Sequence, residues 1–293
     1  MCGSVYKQYT FPPQLFARLD GRRSVRDIEP RLFPDDGGPL PGEVVELFGS
    51  EGTGKTELLY HFLCRGVLPL AAGGLEVEVA FVDTDYTLDM LRVVSILDSR
   101  LGAVSSSGSP ASSHDAMVRS CLSRLLVMHC SSSSQLLLTL HSLETWLASR
   151  AGLALLLIDS MSAFYWLDRC EGGASVAKQE EKLCRCAQLL TRLLRDYRIS
   201  LMASCHANRR RCSGASSSEP EWQYLCRPWQ RLVTHRMLCS RQEAAPEGGK
   251  EHKKSQLFIV HCTSSHSSSS SATKAKSYRT SSFRVTDGGV DFI

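Results

Sequence analysis

Hydrophobic positions from Gly42 onward follow two alternating spacings along the chain. Short runs with apolar residues at nearly every position are typical of buried strands, and longer runs with apolar residues three or four apart are typical of helices. The first part of this pattern predicts strands at 43–48 and 77–83, followed by helices at 54–68 and 88–101 respectively. Strands that alternate with such helices form βαβ units, and therefore a parallel sheet.

The alternation continues to Cys205, with predicted strands at 124–130, 153–160 and 199–205 and predicted helices at 134–149 and 176–197. Continuous apolar strands such as 153–160 belong in the middle of a sheet that is covered on both faces. Two more strands, at 232–239 and 256–262, are expected to make the second half of the sheet antiparallel. The predicted fold class is α/β, with a mostly parallel central sheet flanked by helices and antiparallel strands toward the C-terminus.

Composition divides the chain into three parts. Residues 1–41 mix Pro, Gly and charge around two short amphipathic stretches and are predicted to form an arm. Residues 42–262 are predicted to form the folded core, with a surface loop at 103–113. Residues 263–293 begin with a nearly pure Ser run. Such a run buries too little apolar surface to offset the entropy of ordering, so this tail is expected to be mostly disordered.

Charge and cysteine content exclude several classes of protein. The net charge is +4, but the stretch from 250 to 284 carries +6, which leaves a nearly neutral body without a general footprint for nucleic acid. The twelve cysteines are scattered through apolar stretches without a CxxC pair, which favours reduced core thiols over disulfides or a structural metal. We find no apolar run of membrane-spanning length, and expect an intracellular, soluble protein.

The strongest chemical motif is Gly-Ser-Glu-Gly-Thr-Gly-Lys-Thr at 49–56, which lies between a predicted strand and a predicted helix. This is the pattern and the context of a phosphate-binding P-loop. Its backbone amides and the helix N-terminus favour phosphate oxygens. Lys55 is expected to reach the β- and γ-phosphates, and Thr56 is expected to bind Mg²⁺ together with Asp159, which ends its apolar strand. The predicted nucleotide-binding residues are Gly49, Ser50, Glu51, Gly52, Thr53, Gly54, Lys55 and Thr56.

A second strand ends in two carboxylates, Asp83 and Asp85. Asp85 is a candidate base for polarising an attacking water at the rim where the phosphates should lie. Alternatively, both carboxylates cap the helix predicted to begin near Leu88, a role for which Asp is well suited. The sequence leaves both interpretations open.

The P-loop, the run Val-Ala-Phe-Val-Asp-Thr-Asp at 79–85 and the run Leu-Leu-Leu-Ile-Asp-Ser-Met-Ser-Ala-Phe-Tyr at 155–165 resemble the RecA-type recombinase core. The eukaryotic branch, and within it a non-filament paralogue, fits best. This resemblance implies a RecA-like P-loop NTPase core that binds ATP with Mg²⁺. It also implies a nuclear role in homologous recombination repair, in a heteromeric complex with other recombinase paralogues, of which the D paralogue is the expected direct neighbour.

The sequence departs from the recombinase pattern at two positions that bear on catalysis. Asp85 takes the place of the family's catalytic Glu, and the missing methylene is expected to make hydrolysis slow or absent. His206 takes the place of a Gln that senses the γ-phosphate, which puts the coupling of nucleotide to DNA in doubt. The family's N-terminal DNA-binding domain has no room before Gly49, so the arm is expected to dock on a neighbouring subunit.

Two stretches match the family's DNA-binding loops. Arg209, Arg210 and Arg211 lie where the second loop begins, and either neutralise DNA phosphates or form a solvated charge cluster. Residues 166–181 match the first loop, but their charges are mixed, so weak DNA binding by this chain alone is expected.

The leading hypothesis is an ATP-binding subunit that assists strand-exchange filament assembly on single-stranded DNA, more an adaptor than a motor. One alternative is an autonomous DNA-stimulated ATPase that uses Lys55, Thr56, Asp85 and Asp159. Another is a small-molecule P-loop kinase, which needs a basic lid and an acceptor pocket.

Overall fold

The computed structural model describes residues 22–34, 37–104, 111–173, 175–206, 208–209, 222–223, 225–242, 256–266 and 275–293. These residues form one nine-stranded sheet with helices on both faces. The strands are β1 (Val44–Gly49), β2 (Glu78–Asp83), β3 (Leu125–His129), β4 (Leu153–Asp159), β5 (Ser200–His206), β6 (His235–Arg241), β7 (Leu257–His266), β8 (Ala275–Thr286) and β9 (Gly289–Phe292).

The helices are α1 (Lys55–Val67), α2 (Met90–Gly102), α3 (Ala111–Leu122), α4 (Ser133–Ser149), α5 (Tyr165–Glu171), α6 (Val176–Tyr197) and α7 (Arg227–Leu232). Short 3₁₀ turns lie at Pro30–Leu32 and Leu70–Ala72. Within the described ranges, we find no helix long and apolar enough to cross a bilayer.

The strand order across the sheet is β9-β8-β7-β6-β1-β5-β4-β2-β3. Neighbouring strands from β6 through β1 to β3 are parallel, whereas β6–β7, β7–β8 and β8–β9 are antiparallel. The predicted α/β class is therefore confirmed. The expectation for the strand at 232–239 was wrong in one respect, because β6 pairs in parallel with β1 and the antiparallel part begins only at β7.

Successive residues of β1 point to opposite faces of the sheet and divide the core in two. Val45 and Leu47 pack with α1 and α2, and Val44 and Phe48 pack with α4 and α6. The leucine face predicted for α4 is buried in this second layer. Both faces of the parallel strands are covered, which agrees with their continuous apolar sequences.

The segment at 22–34 corrects the prediction that residues 1–41 form an arm and that the folded core begins only at residue 42. Val25, Ile28 and Phe33 are fully buried in the layer that contains α1 and α2. In the same segment, the buried carboxylate of Glu29 lies 2.8 Å from Nε2 of His61 on α1. This stretch therefore belongs to the folded core, because its apolar side chains pack in the same layer as α1. Residues 1–21 lie outside the described residues, so docking by that part of the arm stays a prediction.

The tail at 263–293 was predicted to be mostly disordered, and this is wrong for the described residues. β7 continues to His266, and β8 and β9 complete the sheet. Phe258, Phe283 and Val290 are buried beside α1 and α2. Antiparallel pairing satisfies the backbone of the serines, and these few apolar residues anchor the strands. Residues 267–274, which include most of the Ser run, lie outside the described residues.

A buried polar chain fixes the end of β7. Ser264 Oγ lies 2.7 Å from His235 Nδ1, and His235 Nε2 lies 2.9 Å from Glu43 Oε2. This order of Ser, His and Glu is that of a hydrolase triad, but Ser264 has no exposed surface. A nucleophile must be accessible to substrate, so this constellation is structural, and joins β7 and β6 to the residue before β1.

Asp89 caps the N-terminus of α2, since its Oδ1 accepts a hydrogen bond from Arg92 N at 3.1 Å. We expect Asp89→Ala to lower the free energy of unfolding by about 1 kcal/mol, because an orphaned backbone N–H loses its acceptor. Urea denaturation measures this change. The matched control is Ser95→Ala on the exposed face of the same helix, expected to change stability by less than about 0.5 kcal/mol. Equal effects of the two substitutions would contradict the capping role.

Candidate nucleotide-binding site

The carboxyl ends of β1, β2, β4 and β5 meet at one edge of the sheet, next to the N-terminus of α1. A cleft of about 390 Å³ opens at this edge. Its lining residues are Glu51, Gly52, Thr53, Gly54, Lys55, Thr56, Glu57, Asp85, Thr87, Asp159 and His206. In parallel α/β sheets, ligands bind outside the carboxyl ends of the strands, so this is where a nucleotide site is expected.

The loop at 49–54 takes a conformation that needs glycine. Gly52 and Gly54 have φ angles of 71° and 82°, in the left-handed region that residues with a Cβ rarely adopt. A Cβ added to Gly54 would also lie 2.9 Å from the Phe283 ring. Thr53 Oγ1 donates to Ser50 O at 2.8 Å and closes the loop on itself. The loop thus presents backbone rather than side chains to the cleft.

Lys55 is the first residue of α1, and its ammonium group folds back over the loop. Nζ donates to Gly49 O at 3.0 Å and to Ser50 O at 2.7 Å. Burial lowers the pKa of Lys55, and the carboxylates of Asp159 and Glu51 oppose this shift. A buried cation beside the amides of a helix N-terminus makes a strongly anion-attracting pocket.

Thr56 and Asp159 lie together, as the sequence predicts. Thr56 Oγ1 donates to Asp159 Oδ2 at 2.9 Å, and Ser204 Oγ on β5 donates to Oδ1. Burial raises the pKa of Asp159, while these two hydroxyl donors oppose the shift. A carboxylate and a hydroxyl are oxygen ligands of the kind that Mg²⁺ prefers. The donor set therefore fits a magnesium ion held with a phosphate.

The two carboxylates after β2 have separate environments. Asp83 is buried and accepts from the backbone N–H of Thr87 and Leu88, both at 3.2 Å. Its role is therefore to cap the connection before α2, whose own N-cap is Asp89. Asp85 is exposed at the cleft, with Oδ2 3.7 Å from His206 Nε2. The capping interpretation thus describes Asp83, and the placement of Asp85 leaves it available to a ligand.

His206 ends β5 on the opposite side of β4 from Asp85. Its backbone N–H donates to Ser162 Oγ at 2.8 Å, which fixes the point where the chain leaves the sheet. The two side chains therefore approach each other above the strand that carries Asp159. Their assigned roles as catalytic residues stay predictions.

Of the predicted DNA-binding residues, the structure describes the backbone of Arg209. Arg209 belongs to a two-residue strand, Asn208–Arg209, that pairs with Trp222–Gln223. Arg210 and Arg211 lie outside the described residues. The stretch at 166–181, matched to the first DNA loop, is helical over much of its length, in α5 and the start of α6.

Several residues around the cleft were not predicted from the sequence. Glu57 and Thr87 line it, and Ser204 holds Asp159 from behind. Thr84 Oγ1 donates to Ser160 O at 2.8 Å and fixes the backbone next to Asp159. Ser204 could have been recognised from the sequence, because it is a polar residue between Ala203 and Cys205 in an otherwise apolar central strand.

Comparison with known proteins agrees with this geometry. A model of the Rad51 family matches residues 34–221. The chain is 45% identical to the DNA repair protein XRCC2 of Mus musculus, with 100% of both chains covered. It is 24% identical to the DNA repair protein XRCC2 homolog of Arabidopsis thaliana, over 67% of this chain and 68% of that protein. It is also 26% identical to the DNA repair and recombination protein RadA of Methanoculleus marisnigri, over 61% of this chain and 55% of that protein.

The family match covers the whole P-loop region, Asp85 after β2, and the strands that carry Asp159 and His206. The similarity to the mouse protein extends beyond it to both ends of the chain. The chain therefore belongs to the Rad51 family of RecA-type recombinases, on the branch of the XRCC2 paralogues.

Proposed function

We propose that this chain is an ATP-binding subunit of a heteromeric recombinase-paralogue complex. The complex acts in homologous recombination repair of DNA double-strand breaks and promotes strand-exchange filament assembly on single-stranded DNA. The observation that carries the proposal is the convergence of Lys55, Thr56 and Asp159 in one cleft at the head of α1. The relatives support the repair role, since the mouse and plant proteins are named for DNA repair and RadA for repair and recombination.

Each part of the cleft has a defined task in binding. The amides of the loop and of the first turn of α1 donate hydrogen bonds to phosphate oxygens, and Lys55 supplies a positive charge that burial has already stripped of water. Thr56 and Asp159 hold Mg²⁺, which neutralises phosphate charge when bound. ATP binding through these interactions needs the triphosphate and Mg²⁺ but does not need hydrolysis.

Slow hydrolysis follows from the residues at the rim. Asp85 is one methylene shorter than Glu, so its carboxylate lies about 1 Å further from the place where a longer acid would act on water, and such a displacement can cost about a hundredfold in rate. His206 faces Asp85 at 3.7 Å. A contact this long between two partly exposed side chains contributes little rigidity. The chain is therefore better suited to respond to bound ATP than to turn it over.

The family membership, rather than the cleft, supports the proposed partners and location. We assign the direct partner to another recombinase paralogue, the D paralogue, with residues 1–21 as the docking segment, and the site of action to the nucleus. Single-stranded or branched DNA is bound mainly through the complex, with Arg209, Arg210 and Arg211 as this chain's own candidate contacts.

Equilibrium titration with a fluorescent ATP analogue tests the proposal, with and without Mg²⁺ and with and without the co-purified partner. Saturable, Mg²⁺-enhanced binding is expected. Co-purification from cells followed by mass spectrometry identifies the partner. Absence of saturable binding, even with the partner present, would overturn the nucleotide role and leave only the fold.

Asp85→Glu is expected to raise the rate of ATP hydrolysis about tenfold in the presence of single-stranded DNA. The added methylene restores part of the reach that a displacement of about 1 Å removes. Asp85→Asn is the matched control, since it keeps the size of Asp85 without its basic oxygen, and no rise is expected. Brisk, Lys55-dependent hydrolysis by the unaltered protein would instead favour the autonomous DNA-stimulated ATPase.

A further inference from the structure

Both oxygens of the Asp159 carboxylate are held by hydroxyl groups from different elements. Thr56 Oγ1, from the first turn of α1, donates to Oδ2 at 2.9 Å. Ser204 Oγ, from the neighbouring strand β5, donates to Oδ1. A carboxylate rotates through a broad range about its terminal torsion when it is free. Two donors on opposite oxygens define one plane for it.

Ser204 differs from Thr56 in its access to the cleft. Thr56 lines the cleft, whereas Ser204 has no exposed surface. A ligand in the cleft can therefore contact Thr56 but reaches Ser204 only through Asp159. The position of Ser204 in β5 also lacks a packing explanation, because an apolar residue would suit a central strand better.

The backbone around this pair leaves the carboxylate little freedom to move. Ser204 O accepts from Met161 N at 2.9 Å, and Thr84 N on the other side donates to Asp159 O at 2.8 Å. The main chain of Asp159 is thus fixed between β2 and β5. The rotation of its carboxylate is the remaining variable, and Ser204 controls the oxygen that points away from Thr56.

We propose that Ser204 is a positioning residue for the metal-nucleotide site, which holds Asp159 with Oδ2 turned toward Thr56 and the divalent cation. This inference rests on the proposed function, since it assumes that Asp159 and Thr56 hold Mg²⁺. Groups that orient a metal ligand typically contribute about ten- to a hundredfold to metal affinity. Loss of the Ser204 hydroxyl should therefore weaken the response to Mg²⁺ and spare the contacts that the loop makes to phosphate.

A purely structural role for Ser204 predicts a different result, and the chain provides the control. Ser200 lies on the same strand and face, is also buried, and donates to Leu40 O at 3.2 Å, at the other end of β5. Ser200→Ala removes an equivalent buried hydroxyl without touching Asp159. Both serine substitutions should lower the melting temperature, but only the change at Ser204 should alter the Mg²⁺ dependence.

The experiment measures binding of a fluorescent ATP analogue to this chain together with its co-purified partner, first in excess EDTA and then over a Mg²⁺ titration. We expect Ser204→Ala to raise the Mg²⁺ concentration for half-maximal enhancement about tenfold or more. Affinity in EDTA should stay within about twofold of the unaltered protein, since the phosphate contacts are unchanged. Ser204→Thr keeps the hydroxyl and should retain the normal Mg²⁺ response. Ser204→Cys, which keeps the volume with a weaker donor, should behave like Ser204→Ala and replaces it if the alanine variant does not fold.

Two outcomes overturn the inference in distinguishable ways. If the unaltered protein shows Mg²⁺-enhanced binding and Ser204→Ala and Ser204→Cys respond to Mg²⁺ as it does, Ser204 does not position Asp159, and the proposed function stands. If the unaltered protein shows no Mg²⁺-enhanced binding even with the co-purified partner present, the metal-nucleotide site itself fails, and the role of Ser204 fails with it.

Discussion

Lys55→Ala is expected to weaken binding of ATP with Mg²⁺ at least about thirtyfold. Lys55 is the buried cation of the cleft, and its ammonium group already lies over the loop carbonyls of Gly49 and Ser50. Truncating one partner of a buried, charged hydrogen bond costs about 2–5 kcal/mol, and each 1.4 kcal/mol is about tenfold in affinity. Titration with a fluorescent ATP analogue measures the loss directly.

The same substitution is expected to leave partner association largely intact. The bonds of Lys55 stay within its own loop, and the proposed docking segment at 1–21 precedes that loop by many residues. Co-purification with the partner subunit checks this separation. Lys178→Ala, which removes an exposed lysine on α6, is the control and should change neither measurement. Loss of the complex in Lys55→Ala, with the melting temperature unchanged, would show that nucleotide and partner binding are not separable.

The cleft at the N-terminus of α1 was largely predictable because the residues that line it are encoded in local motifs. A glycine-rich loop between a strand and a helix needs no long-range information, and Asp159 ends an apolar strand whose place in the sheet follows from its composition. The roles of Asp83 and Asp85 were not separable in this way. The two carboxylates follow the same predicted strand, with one residue between them. Only the turn after β2 buries Asp83 under backbone amides and turns Asp85 toward the cleft.

The two ends of the chain were misjudged for one physical reason. Composition describes each segment by itself, but both segments are ordered by packing against α1 and α2. The apolar residues of 22–34 recur at helical spacing but have no partner until α1 is in place. In β8, Phe283 stacks on Phe258 of β7 at 5.1 Å between ring centroids, a contact that no count of serines can reveal.

A buried network joins the N-terminal segment to α1 and α2. His61 Nε2 lies 2.8 Å from Glu29 Oε2, and His61 Nδ1 lies 2.8 Å from Arg100 Nη2. A guanidinium can only donate, so Nδ1 must accept and the proton of the neutral ring sits on Nε2. Burial lowers the pKa of His61 to about 4, with Arg100 adding to the shift and Glu29 opposing it. Burial alone would raise the pKa of Glu29, but hydrogen bonds from His61 and Arg31 outweigh it and hold that pKa at about 2.

These shifts predict a protein that loses stability in mild acid. A histidine in the unfolded chain takes up a proton near pH 6.5, whereas His61 in the folded protein does so only near pH 4. Between these values the unfolded state binds the extra proton, so the free energy of unfolding falls as the pH falls, by on the order of 3 kcal/mol. Glu29 also lowers the free energy of unfolding, at still lower pH. Its folded pKa of about 2 lies below the unfolded value of 4.5, so its contribution to stability is lost as the pH falls through this range.

His61→Gln isolates the histidine contribution, since a glutamine amide can donate to Glu29 and accept from Arg100 but does not titrate. We expect the stability of this variant, measured by urea denaturation between pH 7 and pH 4.5, to fall less than that of the unaltered protein by on the order of 2 kcal/mol. His141→Gln on the exposed face of α4 is the matched control and should follow the unaltered protein. Parallel curves for all three proteins would mean that His61 has the same pKa in the folded and unfolded states, and would contradict the shift. A smaller loss in His61→Gln alone would place the acid sensitivity at the contact between the N-terminal segment and α1.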